Sequence, residues 1–361
     1  MLQRGKSGPG PTLLTDCNAA CVGPGPDLRD YNSVEFIHAK TEKTEPFLWI
    51  PGQGYSSKSL DKMCEYFRRP IEPMGEAWFM GETRKMYPEL AGDLSKLSPM
   101  FLQDPLTDII SGNCSFGRME EWTDWYHYLL PRLIPRSHER FCDPLLEYLL
   151  CGFFVLYPDG IKDEPYRYFR KDVLATLGSC MMDTECWDKG QVRVGSLLLR
   201  SNANPNRIWC WWDASGDFSA SAFFCAKYLT PDEIEPWLKS MLSIRSAHWN
   251  AQVIVWLLGA HGMFTGKQTQ PSELEFADRP CVDWEWSHVL EGDYSGIHDG
   301  SAPSPVDFLP AENREAILRV LDENLSQELF FEWLDAIKAF DYLESELAEL
   351  PSRFAGIYLH D

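Results

Sequence analysis

No stretch of this 361-residue chain reaches eighteen consecutive apolar residues. The longest candidate, residues 145–157, carries Glu147 and is too short to cross a bilayer. The amino-terminal MLQRGKSGPGPT lacks the apolar centre of a secretory signal. Positive charge is scarce too: 33 Lys and Arg stand against 54 Asp and Glu, a net charge of −21. Nucleic-acid binders carry a basic footprint, so neither nucleic acid nor membrane is an expected partner. The local signatures of common active sites are missing as well. There is no P-loop, no GxGxxG after a strand, no HExxH, no paired CxxC and no GxSxG elbow. No cofactor and no metal are expected.

What is present begins with a large apolar fraction, 44% hydrophobic and 13% aromatic, ample for an extensive core. The charge is lopsided. Residues 271–361 hold 21 acidic and 5 basic residues, a net of −16, and the preceding 270 hold 33 and 28, a net of −5. A field of one sign raises the encounter rate with an oppositely charged protein. It also keeps an ordinary surface soluble.

Eleven cysteines, an odd number, lie mostly inside apolar runs such as LLCGFF around Cys151 and AFFCAKY around Cys225. That is the pattern of reduced core thiols in a cytoplasmic protein. Cys17 and Cys21 have no second ligand pair nearby. Cys180 and Cys186 would bind a metal only if the fold brought His248 or His261 beside them. His127 is expected on a partly exposed helix flank, and His261 at a helix end where a cation suits the dipole.

Hydrophobic spacing reads as helix over most of the chain. Trp122, Trp125, Tyr126, Leu129, Leu130 and Leu133 follow the 3.6-residue period, with Pro131 set to kink or shorten the helix. Asp143 and Pro144 offer a helix start, and the run behind them is apolar nearly all round, which predicts a central helix. A short helix is expected over 173–182. Residues 191–199 and 207–212 are β-branched or aromatic and could pair as a hairpin. Thr230, Pro231 and Glu233 form a capping box, and Gly262 is a natural stop for the following helix. The fold class is therefore mainly α: a multi-helix globular or irregular solenoid-like array with a small β-hairpin. The expected organisation is a mobile Gly/Pro-rich head over 1–30, a main domain over 31–291 that is mixed and then helix-rich, and an acidic helical pair over 306–361 packed on it.

The last predicted helix opens at Ser326. Leu329, Trp333, Ala336, Ile337, Phe340, Leu343 and Leu347 share one face; Glu328, Glu332, Asp335, Glu346 and Glu349 share another, with Tyr342 among them. Asp341 and Glu344 fit this wheel badly, so the helix should bend or end near 341. Trp211, Trp212, Trp284 and Trp286 fall outside helical core spacing and are the candidate contact anchors. The reading that follows is a cytoplasmic protein-binding or inhibitory protein. Its partner surface is Glu328, Glu332, Asp335, Tyr342, Glu346 and Glu349 with Trp284 and Trp286, facing a basic protein. An immunity or antitoxin protein against a basic toxin is one version. The alternative is a hydrolase with a dispersed carboxylate site at Asp283, Glu285 and His288. In a strand, Asp283 and Glu285 would share one side about 7 Å apart, inside the carboxyl separation of glycoside chemistry.

Overall fold

The structure is a computed structural model that describes residues 45–71, 73–74, 86–116, 120–138, 145–162, 164–198, 215–274, 282, 284, 287–290 and 307–359. Contacts group Glu45–Asp361 into one unit. The proposed head over 1–30 and the stretch 292–305 between the expected main domain and the acidic helices lie outside the described residues, as do Asp143 and Pro144.

Twelve α-helices and one two-stranded antiparallel sheet are described. The mainly α class with a small hairpin is what the periodicity predicts. The amino-terminal half builds α1 (Ser57–Tyr66), α2 (Pro99–Phe116), α3 (Glu120–Leu133), α4 (Leu145–Leu156) and α5 (Phe169–Ala175). Pro131 sits inside α3, which tightens into a 3-10 turn at Ile134–Arg136. α4 is central, packed against α2, α3 and α6 (Gly216–Tyr228), and even Glu147 is buried. The short helix expected over 173–182 is instead α5 followed by a 3-10 stretch, Leu177–Met182.

The hairpin differs in its partner. Gln191–Val192 (β2) pairs with the preceding Trp187–Asp188 (β1), through Lys189 and Gly190, both at positive φ of 52° and 78°. Two consecutive left-handed residues make the tight turn whose twist matches a hairpin. That closure is local in sequence; residues 207–212, the expected partner, lie outside the described residues.

α7 (Pro231–Ser243) starts as the capping box predicts, the Glu233 carboxylate accepting the Thr230 amide at 2.8 Å. α8 (Ala247–Phe264) runs two residues past Gly262. α9 (Ala311–Asn324) packs on α7 and α8; α10 (Gln327–Lys338), α11 (Asp341–Leu347) and α12 (Leu350–Tyr358) each contact α8. The single helix expected from Ser326 toward Leu350 is thus two, α10 and α11, broken at 338–341 where the wheel fails, and α12 follows after Ala348 and Glu349.

Tryptophans knit the interior. Trp49 meets Trp237 and Trp249 edge-on, ring centres 5.3 and 5.7 Å apart. Close packing leaves no spare volume at Gly152 of α4, where an added Cβ would lie 2.4 Å from the ring of the fully buried Tyr126. Gly152→Ala should therefore lower stability by about 1–3 kcal/mol, although alanine favours helix. Urea denaturation reads this directly, and a gain in stability would contradict the close approach.

Candidate functional site

The acidic face is built on α10. Ser326 caps it, its Oγ accepting the Leu329 amide at 3.2 Å. Phe330, Trp333 and Ile337 are buried, and Phe330 stacks on Phe354 of α12 with ring centres 4.9 Å apart. Burial of that stripe turns Glu328, Phe331, Glu332 and Asp335, at offsets 0, 3, 4 and 7, to solvent on one face. Phe331 is 59% exposed and lies beside the three carboxylates on that face. Every acidic side chain described between 311 and 359 is exposed. Glu332 pairs with Arg245 at 2.9 Å, both half in solvent, while Glu328 and Asp335 make no ion pair among the described residues. Hydrogen bonds from its own amide and from Ser326 hold the Glu328 carboxyl below its usual value, so it stays ionised.

The other expected contact residues fare differently. Glu349 is exposed between α11 and α12. Glu346 lies on α11, but its side chain is outside the described residues. Tyr342 is half-buried, its hydroxyl 2.5 Å from His248 Nε2, where it ties α11 to α8. Trp284 is fully buried, stacked on Phe223 at 5.3 Å with its indole N–H 3.1 Å from Cys151 Sγ. An indole covered on all sides cannot anchor a partner, so Trp284 leaves the contact set for the core. Trp286, Trp211 and Trp212 lie outside the described residues. So do Asp283 and Glu285, and His288 sits in a 3-10 turn, Ser287–Leu290, with its side chain not described.

Phe331 is the residue that the sequence reading missed. Its signal was available: it is the apolar residue lying on the acidic stripe, off the line of Leu329, Trp333 and Ile337. Phe340, expected inside, is 39% exposed because α10 stops at Lys338.

Two of the cavities among the described residues are open to solvent. The larger, about 600 Å³, lies between residues 48–51, the hairpin turn and the end of α7. The smaller, about 300 Å³, adjoins Ser326 and Glu328 at the start of α10. Neither gathers carboxylates around a histidine.

Cys180 and Cys186 do have a histidine between them, but it is His138 rather than His248 or His261. Its Nε2 lies 3.6 Å from Cys180 Sγ and its Nδ1 3.6 Å from Cys186 Sγ. One imidazole offering opposite nitrogens to two thiols does not converge on a single ion, and no metal-holding group is found among the described residues. Burial pushes the Cys180 thiol up to about 12, raises that of Cys186 and lowers the imidazole, so all three are held neutral. His127 is buried rather than partly exposed, 2.8 Å from the Tyr157 hydroxyl and stacked on Phe67. His261 is in the last turn of α8, but burial and Lys267 lower its pKa, which disfavours the cation expected there.

No helix among the described residues is long and apolar enough to cross a membrane. No protein-family model, curated protein or solved structure matches the chain.

Proposed function

We propose that this is a cytoplasmic binding or inhibitory protein that meets a basic protein partner through the outward face of α10. The observation that carries the reading is Phe331, exposed on the same face of α10 as Glu328, Glu332 and Asp335. An aromatic anchor inside a charged rim is how binding energy concentrates at interfaces: the ring supplies buried area and the rim sets orientation and encounter rate. Glu349 and the other exposed carboxylates of α9–α12 extend the same field. That field repels nucleic acid and anionic lipid, so the partner in this reading is a protein. The free buried thiols suit a reducing compartment.

The test is kinetic. The partner is captured on the wild-type protein, and its association is then followed by stopped flow against a variant carrying Glu328→Gln, Glu332→Gln, Asp335→Asn, Glu346→Gln and Glu349→Gln. Association should slow about tenfold or more at low salt and lose most of its salt dependence. Phe331→Ala should instead raise the dissociation rate, at a cost of about 2 kcal/mol. An unchanged association rate at low salt would make the acidic stripe ordinary surface. In the immunity version the partner is a basic toxin, and co-expression with the wild type, but not with the charge variant, rescues growth.

A further inference from the structure

One part of this acidic chain is basic, and a repeated string builds it. Tyr66-Phe67-Arg68-Arg69 runs out of the end of α1, and Tyr168-Phe169-Arg170-Lys171 runs into α5. Both phenylalanines are buried and meet edge-on, ring centres 5.6 Å apart. The tyrosines turn out: Tyr66 is 50% exposed and Tyr168 52%. Tyr166 joins them. Its ring centre lies 4.6 Å from that of Tyr66, and it shares the Lys62 ammonium with Tyr168, at 4.5 and 5.7 Å from the two ring centres.

Residues 57–71 and 162–172 hold eight basic and five acidic residues, a net of +3 in a chain of −21. Two of the cations are engaged within the fold, Lys62 with Asp172 at 2.6 Å and Arg170 with Glu233. Arg68, Arg167 and Lys171 are exposed and make no ion pair among the described residues. The Arg167 guanidinium lies 4.6 Å over the Tyr168 ring. Exposed rings beside unpaired cations are the complement of the α10 face, where Phe331 stands beside Glu328, Glu332 and Asp335. Neither surface covers the other within one molecule, since both are open to solvent.

We infer that this patch seats the α10 face of a second copy of the chain, so that copies associate head to tail. Phe331 then packs on Tyr66 and Tyr168, and the carboxylates beside it meet Arg68, Arg167 and Lys171. The inference rests on the α10 reading and names the basic surface that the reading calls for. Because the two surfaces differ, the contact is heterologous, and every junction leaves one surface of each kind free. The net charge opposes it, since each copy carries −21. At 0.15 M salt, however, charges farther apart than about 8 Å are largely screened, while groups in contact are screened much less. Association should therefore be strongest at intermediate salt and weaken on either side.

Sedimentation velocity of the full-length protein, followed up to about 500 μM, is the test. At about 0.15 M NaCl the average mass should rise with concentration, and the association constant should fall at least threefold at about 0.01 M and about 1 M. Two variants separate the surfaces. One carries Arg68→Gln, Arg167→Gln and Lys171→Gln; the other carries Glu328→Gln, Phe331→Ala and Asp335→Asn. All six side chains are exposed and free of ion pairs among the described residues, so both variants should melt like the wild type. Each alone should stay monomeric. Mixed in equal amounts, they should form a one-to-one dimer and nothing larger, because one intact patch then meets one intact face. A wild type that stays monomeric throughout, a patch variant that associates as the wild type does, or a mixture that stays monomeric overturns the inference. If the wild type is monomeric while the α10 charge variant still slows association with a captured protein, the α10 reading stands and only the second copy is excluded.

Discussion

Between pH 7 and pH 4 the fold should lose about 3 kcal/mol through His127 alone. The imidazole is buried against Phe67 and Phe169 and, among the described residues, meets only the Tyr157 hydroxyl, at 2.8 Å, as a polar partner, so burial pushes its pKa down to about 4. An exposed histidine in the unfolded chain titrates near 6.5. Between those values the unfolded chain holds a proton that the folded one refuses, so stability falls as the pH drops through this window and is unaffected above it. His248, whose pKa burial likewise lowers to about 4, acts with the same sign where it ties α8 to Tyr342 of α11. Carboxylates titrate over part of the same range, so the measurement is a difference. Urea denaturation of wild type and His127→Phe is compared from pH 7 to pH 4. The variant keeps the stack on Phe67 and removes the titration. The wild type should lose about 3 kcal/mol relative to it across that interval. A difference independent of pH would mean that the imidazole is charged, or hydrated, in the folded state.

The two histidines also mark what spacing can and cannot convey. Helical periodicity identified α3 and α10 because each presents a repeating apolar stripe to the core, α4 was legible as a run apolar nearly all round, and the capping residues of α7 are local in sequence. The misfit of Asp341 and Glu344 on the wheel located the break between α10 and α11. The depth at which His127 sits was not legible, since the rings that cover it come from α1 and α5, about 60 and 40 residues away. The same holds for His138, which meets Cys180 and Cys186 across 42 and 48 residues. No spacing rule links residues that only the tertiary fold brings together.

The acidic face was more legible than the aromatic one. Exposed carboxylates announce themselves by charge and by falling opposite an apolar stripe, and Glu328, Glu332, Asp335 and Glu349 are all at the surface. Tryptophans left over from helical spacing are a poorer guide. Trp284 follows no period because it caps the core from outside the described helices, packing against Phe154, Phe223 and Phe308 drawn from three separate parts of the chain. A residue without periodicity is not thereby exposed. Phe331 is exposed because it keeps period with its carboxylate neighbours.

The acidic helices are seated beside a buried cation, and that cation gives the second large effect. Lys227, in the last turn of α6, is 8% exposed, donates to the Phe308 carbonyl at 2.7 Å and lies 4.4 Å over the Phe308 ring. It has no ion pair among the described residues. Burial lowers its pKa to about 8, with Asp159 pulling the other way. An unfolded lysine titrates near 10.4. Below pH 8 both states are charged and the folded one bears the whole net cost of the charge, about 3 kcal/mol. Between pH 8 and 10.4 the folded state has shed a proton that the unfolded state keeps, so stability rises with pH. Lys227→Met fills the same volume without charge. At pH 7 it should be more stable than wild type by about 1–2 kcal/mol, less than the full cost of the charge because methionine gives the Phe308 carbonyl no hydrogen bond, which the lysine donates in either protonation state. That advantage should disappear, and the order reverse, by pH 10.4. A gap constant across this range would show that the ammonium is solvated. The link from α6 to Phe308 would then rest on Asn313, whose Nδ2 donates to the Ala226 and Leu229 carbonyls at 2.8 Å and so fastens α9 to the end of α6 whatever the pH.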